Sequence, residues 1–384
     1  MRALWVLRWL LCIPPLTVAC AAPALPAPVV WLVDGASGVY GTTQSGDLFT
    51  WQAGQIRLLH KAFALSPLIA CDGGVVGVNG YGELQRWTAG QLVSTSGARL
   101  SALSRPACVP DGLVAVAMNG DLVRYETRDR TWRETARVQA DALPDAQLTL
   151  ADLTGNGTRQ IVALRGPNRE RYRHGILGDT VEATGIGVFD STHLALRAKL
   201  TLGAPDVFED LEARPLRTSD QRDALVVVRS SAQGGSALAV IEQRESTLHM
   251  RSLGPDFQQP NRWLAPIVGL HAVWAVHTPH LGGVLHHYQE RGGVLSAFSR
   301  LEGVSNHVIG SRNLSMAVAL SDHQLVLPTQ DRQRLLIIRC ASHCSVRQEL
   351  NLDAPLSSNL IVSGGQLIAG DESGQIHRWP LPAF

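Results

Sequence analysis

The sequence predicts an all-β chain of repeated, four-stranded antiparallel units, and three observations carry that expectation. The first is a recurring hairpin. Residues 74–87 read GVVGVNGYGELQRW, and the same frame returns at 38–51 (GVYGTTQSGDLFTW), 112–125 (GLVAVAMNGDLVRY) and 365–379 (GQLIAGDESGQIHRW). Each copy holds a glycine-led apolar strand, a glycine turn, an acidic or amide residue, Leu or Ile, two variable residues and an aromatic. The turn needs backbone angles that only glycine adopts without strain. The second observation is spacing: copies that begin at 38, 74 and 112 have the period of a repeat architecture. The third is what flanks the hairpin. An apolar strand precedes it (VVWLV at 29–33, PLIAC at 67–71, RPACV at 105–109), and in the first two units an Ala-Gly turn leads to a last strand (QAGQIRLL, TAGQLVST). Four short strands per repeat make the meander of a β-propeller blade, and a propeller of this length is one domain. Eight blades are expected, with seven as the alternative if two central units merge.

Taken in order, units one to three fill residues 29–139. Unit four opens with LTLADLTGNGTRQIVAL at 148–164, a strand, a polar glycine turn and a second strand. The stretch resembles the FG-GAP type of propeller repeat, which implies a calcium-binding turn at Asp152, Asn156 and Gly157, but Thr154 occupies one acidic position of that pattern and calcium wants several hard oxygens, so a hydrogen-bonded turn is expected. Residues 166–185 form an insertion with Arg169, Arg171, Arg173 and His174, a candidate docking loop at one rim. Unit five spans about 203–254, unit six 260–302, unit seven 303–351, and unit eight returns to the clean pattern from Leu356 onward. Trp51, Trp87, Tyr125 and Trp379 recur in register and are expected to pack between neighbouring units. A strand from about Val29 is expected to complete the last sheet and so spare it an exposed edge. Asp34, Asp72, Asp111 and Asp371 recur near strand ends, either capping turns or lining a channel.

Residues 1–20 read as a targeting segment: Arg2 and Arg8 precede a short apolar run ending near Ala19. Leu16-Thr17-Val18-Ala19-Cys20 resembles a lipobox, which makes Cys20 the candidate lipidation site, and Ala19-Cys20-Ala21 also satisfies the small-x-small rule of ordinary secretory cleavage, the alternative to lipidation. Residues 21–28 (AAPALPAP) follow as a Pro-rich tether, and 29–384 is the propeller domain. Cysteine usage agrees with export. Beyond Cys12 and Cys20 the chain has Cys71, Cys108, Cys340 and Cys344, an even number suited to disulfides. Cys340 and Cys344 flank the tip of a hairpin; Cys71 and Cys108 each precede a repeat glycine and are positioned to meet across neighbouring units.

The net charge of +1 gives no electrostatic footprint for nucleic acid. Five histidines crowd unit six (His271, His277, His280, His286 and His287), but no carboxylate lies between them, and a metal site needs converging ligands with fixed supporting partners. No metal and no cofactor is expected. GxSxG, HExxH, phosphate-loop and dinucleotide motifs are absent from the sequence.

The repeated frame resembles the quinoprotein-type β-propeller superfamily, and the turn at 152–157 resembles FG-GAP repeats. Eight units behind a candidate lipobox are similar to the propeller lipoproteins of the outer-membrane β-barrel assembly machinery. That resemblance implies a non-enzymatic scaffold or accessory subunit, periplasmic or anchored at the outer membrane of a bacterium. Its partner would be another envelope protein, and a lipid anchor would hold it to the membrane if Cys20 is modified. The alternatives are an enzyme with a channel site and a surface adhesin or carbohydrate binder. No adjacent cysteine pair is present, which argues against a bound quinone.

Overall fold

The turn glycine of each hairpin copy shows why the frame repeats. Gly46, Gly82, Gly120 and Gly374 all take φ between +76° and +84°, a region that side chains resist. A Cβ at any of them would also meet backbone of the segment leading into the next unit: Ala64 O, Leu100 O and Ala142 O lie 2.8–2.9 Å from that position for the first three. The same segments are hydrogen-bonded to the glycines, as in Leu100 N to Gly82 O and Ala142 N to Gly120 O, both 2.9 Å. The glycine therefore serves the turn and the docking of the following connection at once.

The computed structural model describes residues 24–52, 54–128 and 131–381. These form an all-β chain with a single 3-10 turn at Gly175–Leu177. Units one (Val29–Gly35 to Gln55–His60), two (Ile69–Cys71 to Gln91–Ser94), three (Ala107–Val109 to Thr131–Val138) and seven (Val318–Ser321 to Cys344–Asn351) are separate four-stranded antiparallel sheets. Three further meanders, at 149–201, 214–253 and 264–302, belong to one continuous sheet. They are joined by the two-residue strand Val207–Phe208, which pairs with Ala183 on one side and with Arg229 and Ser230 on the other, and by the parallel pair Leu253 and Val294.

First strands of successive units lie side by side. Val29–Gly35 meets Ile69–Cys71, which meets Ala107–Val109; Arg214–Arg217 touches Thr149–Ala151 and Leu264–Val268, and the last of these touches Val318–Ser321. Each apolar cluster is shared between neighbours, as when Cys71, Val76 and Leu84 of one unit pack with Leu113, Val123 and Tyr125 of the next. Strands Gly74–Val78 and Gly112–Val116 are buried at every position, because sheets cover both their faces.

The aromatic positions are equivalent in register: Trp51 pairs Val39, Trp87 pairs Val75, Tyr125 pairs Leu113 and Trp379 pairs Leu367. Trp51 and Tyr125 are buried; Trp87 and Trp379 are half-buried against the clusters at their unit boundaries. The residue before the aromatic, read as variable, is arginine in three copies. The Arg86 guanidinium lies 5.6 Å from the ring centre of Trp132, and that of Arg378 lies 5.5 Å from Trp51, each reaching a neighbouring unit.

Closure differs from the expected strand exchange. The Val29–Gly35 strand pairs within unit one, and unit eight has three strands among the described residues, ending at Ile376–Pro380. The first unit still meets the last. Leu25 N donates to Gly374 O (2.9 Å), Val29 N donates to Asp371 O (3.3 Å), and Leu25 O sits over Gly374 as the inter-unit segments sit over the other turn glycines. Residues 25–28 thus occupy the place of a connection from unit eight into unit one, with Leu25 buried beside Trp51 and Ile368. The Asn359 side chain accepts from Leu32 N (2.7 Å) and donates to Leu32 O (2.9 Å), tying the segment that enters unit eight to the first strand of unit one.

Because strands alternate in direction, the turn between second and third strands and the connection to the next unit fall on one face, called here the connection face. The chain enters its first strand on this face as well. The other two turns of each unit fall on the far face.

Candidate functional site

The insertion leaves unit four on the connection face. Its strand Gln160–Asn168 and the returning strand Glu182–Phe189 stay paired as far as Asn168 and Glu182. Asn168 Oδ1 then accepts from the backbone N–H of Glu170 and Arg171 (3.0 and 2.8 Å), an Asx turn that bends the loop back. Instead of projecting, the loop folds inward. Tyr172 is buried and its hydroxyl accepts from Asn261 N (3.1 Å). Arg171 Nη1 donates to the carbonyls of Leu202 and Asp206 (2.9 and 3.1 Å). Ile176 and Leu177 enter the cluster that holds Trp263, Leu264 and Tyr288, and Ile176 O accepts from Gly310 N (2.8 Å). Of the four residues expected to face a partner, Arg169 and Arg173 are exposed, whereas Arg171 and His174 are turned into the molecule.

His174 reaches the middle of a buried polar group. Its Nδ1 lies 2.6 Å from Glu209 Oε1, while Glu209 Oε2 accepts from Ser230 Oγ (2.6 Å) and the Trp263 indole donates to Glu209 O (3.0 Å). Asp210 binds Arg214 through both oxygens (2.9 and 3.2 Å) and also caps the backbone N–H of Leu211 and Val228. Glu212 pairs with Arg105, 107 positions away. Arg312 bridges Asp145 and Asp179 at 2.8 Å each, tying the connection into unit seven to the insertion and to the connection into unit four. Charges from four connections therefore cross-link one another.

Burial is the main electrostatic influence here. It raises the Glu209 carboxyl, with the His174 hydrogen bond opposing. It raises Asp145 despite Arg312. For Glu212 burial acts upward too, yet Arg105 and Arg214 together hold the group below its ordinary value. Glu182 differs. The pair Ala183 and Phe208 sets Glu182 opposite Glu209, and burial followed by repulsion from Glu209, Asp145, Asp179 and Asp210 pushes it well above the carboxylate range.

The unit-six histidines do not converge. His277 bonds the Tyr288 hydroxyl and lies 4.1 Å, ring centre to ring centre, from His286. His287 stacks on Trp274 on the opposite side of the sheet, and His271 Nδ1 lies 2.9 Å from Arg217 O. His280 Nε2 is 3.0 Å from Nδ1 of His307, a residue that sequence reasoning passed over. Burial lowers His277 and His307 to about 3, so both rings are neutral at pH 7. Among the described residues, the one close trio of metal-type side chains is Cys71, Asp72 and Cys108, and its two cysteines are joined to each other. Cys340 and Cys344 form the second disulfide. The Asp152 carboxylate accepts from the backbone N–H of Gly155, Asn156 and Gly157 (2.8–3.2 Å), the expected hydrogen-bonded turn. Asp371 caps its turn through Ser373 N and Gln375 N. Cys20 lies outside the described residues.

Beside His174 is a cavity of about 120 Å³, walled by Ile176, Trp263, Pro279 and His280 and rimmed by Leu281 and Ile309. Those two rim side chains are 65% and 67% exposed on the connection face. Sequence reading missed Glu182, Glu209, Asp210, Arg312 and His307. The signal present was the acidic run EDLE at 209–212 placed between apolar segments, an arrangement that a buried network tolerates only with partners.

No family model matches the chain, and neither does any curated sequence. Solved structures do. BamB from Moraxella catarrhalis is similar at 12% identity and a TM-score of 0.61, covering 92% of this chain and 95% of that one. Sqt1 from Saccharomyces cerevisiae is similar at 11% identity and 0.62, covering 92% and 96%. The C-terminal WD40 domain of Sif2 is similar at 11% identity and 0.58, covering 94% and 98%. Identities this low speak for architecture alone, and the architecture they share with this chain is the β-propeller.

Proposed function

We propose that the protein is an exported, non-enzymatic propeller of eight blades that holds another envelope protein, anchored to the membrane through an acylated Cys20. The observation that carries this reading is an apolar cavity on the connection face, walled by Ile176, Trp263 and Pro279 beside the His174–Glu209 pair and rimmed by exposed Leu281 and Ile309. A cavity of about 120 Å³ suits one apolar side chain of a partner. Arg169 and Arg173 on the adjoining insertion would select an acidic neighbour. The two disulfides support an oxidising compartment. Resemblance of the sequence to the assembly-machinery lipoproteins supports a scaffold at the outer membrane.

The test is capture from a detergent-solubilised membrane fraction, with wild type beside a Leu281→Asp/Ile309→Asp variant. A stoichiometric partner on the wild type that is lost from the variant is expected. No partner on either, or equal capture by both, would remove this reading.

A further inference from the structure

An acylated Cys20 would hold the ring to the membrane by a short leash. Of the Ala/Pro stretch, Leu25 is buried and clamped to Gly374, and Pro28 O accepts from Gln44 N at 2.9 Å. The five Cα steps from Cys20 to Leu25 span at most roughly 17 Å. The headgroup layer on each side of a bilayer is itself about 5–8 Å deep. A ring tied this closely cannot tumble freely above the surface, and the side it presents is the one from which the leash leaves, the connection face.

That face is equipped for contact beside the leash. Leu65, Tyr81, Leu103 and Met118 are 48%, 87%, 45% and 67% exposed. All four lie on connections or second-to-third-strand turns of units one to three, the units that come after the clamp. They form a continuous arc. Leu65 lies against the turns at Gly46 and Gly80, its methyl carbons 3.2 and 3.3 Å from where their Cβ atoms would be. The Gly82 turn bonds to Leu100, and Met118 N bonds to Arg99 O (3.0 Å). Exposed Lys61 and Arg99 sit among them.

We propose, on the basis of the Cys20 anchor in the proposed function, that this arc rests on the bilayer surface. Tyr81, Met118, Leu65 and Leu103 enter the interfacial layer, and Lys61 and Arg99 meet anionic headgroups. Tyrosine and apolar side chains gain free energy at that depth, and basic residues add attraction to anionic lipid. The cavity rim at Leu281 and Ile309 belongs to unit six and to the connection after it, beyond the arc. The leash would thus orient the partner site beside the membrane.

The test uses the mature chain as it is processed and acylated in the cell, purified and reconstituted on vesicles of phosphatidylethanolamine and phosphatidylglycerol. Single substitutions Tyr81→Cys and Met118→Cys carry an environment-sensitive fluorophore, with Leu270→Cys, 64% exposed on the far face, as control. Unchanged melting of each labelled protein confirms its fold. Blue-shifted emission and quenching by nitroxide lipids at 81 and 118, but not at 270, is the expected result. A chain that sediments with vesicles yet leaves 81 and 118 unquenched, or quenches all three alike, overturns the orientation while sparing the anchor. Shielding of 81 and 118 from lipid and water together assigns the arc to a protein and overturns it too. A chain that fails to sediment ends the anchor reading, and the proposal with it.

Discussion

Units one to three and the centre formed by units four to six reach stability by different means. In the first region neighbouring sheets share apolar slabs, turns are closed by glycines, and the aromatic of each unit falls in one register. In the second, Glu209, Asp210, Glu212, Asp145 and Arg312 come from connections far apart in sequence and pair with His174, Arg214, Arg105 and Asp179. The first region depends on local pattern and tolerates repetition. The second depends on each buried charge finding a particular partner or, as at Glu182, on the group staying neutral, because a buried charge without a partner is costly. The lesson is that a repeat fold need not be stabilised in a repetitive way.

The sharpest challenge to that contrast is Asp210→Ala. It leaves Arg214 buried without its carboxylate and three backbone amides, of Leu211, Glu212 and Val228, without that acceptor. A loss of about 3–5 kcal/mol in urea unfolding is expected, and a loss under ~1 kcal/mol would mean the polar centre is dispensable. The disulfides test the repetitive region. Cys71–Cys108 closes a separation of 37 residues and Cys340–Cys344 one of 4. On chain entropy, replacing both cysteines by serine should cost about 4 kcal/mol in the first case and about 2 kcal/mol in the second. Equal costs would show that the cross-unit link adds nothing beyond a clamped turn.

Trp87→Ala comes next, at about 3 kcal/mol because the ring is half-buried. Trp51→Ala, at a more buried equivalent position, should cost more in the same melting experiment, and the reverse order would break the register equivalence. Smallest is the effect of Glu182→Gln, which is one of pH. The Glu182 carboxyl is raised in the folded state, so its neutral form is favoured there. Its stabilising contribution is complete below the unfolded carboxyl value and is lost as pH rises through the folded one. Wild type and variant should melt alike near pH 4, and the variant should gain relative to wild type toward pH 8. Parallel profiles would place Glu182 outside the polar centre.

This contrast also explains what the sequence made legible. Gly82, Gly120 and Trp87 announced themselves because the interactions that require them, in the turn and at the boundary with the next-door unit, recur from one repeat to the next. The Cys71–Cys108 link followed from the same frame. Arg86 and Arg378 were legible in principle, as a basic residue before the aromatic, but their cross-unit stacking appears only in three dimensions. Arg312 and Asp145, 167 residues apart, carry no local pattern at all. The inward fold of the insertion was hidden for a related reason. Arg171 and His174 look like their exposed neighbours Arg169 and Arg173, and only the carbonyls of Leu202 and Asp206 and the carboxylate of Glu209 distinguish them. The edge left for Val29 was misassigned because residues 25–28, not a borrowed strand, join the last unit to the first.

The amide of Asn359 against Leu32, together with Leu25 on Gly374, has a consequence in time as well as in space. Every other boundary joins units that are adjacent in sequence and can form as soon as the second of the two has been made. This boundary joins positions 327 residues apart, and contacts so distant in sequence form slowly. Until the residues that surround Gly374 arrive, the first unit keeps one apolar side wet and the growing ring stays an open letter C with two unsealed ends. Closure of the ring therefore waits on the residues around Gly374, after its other boundaries have their partners.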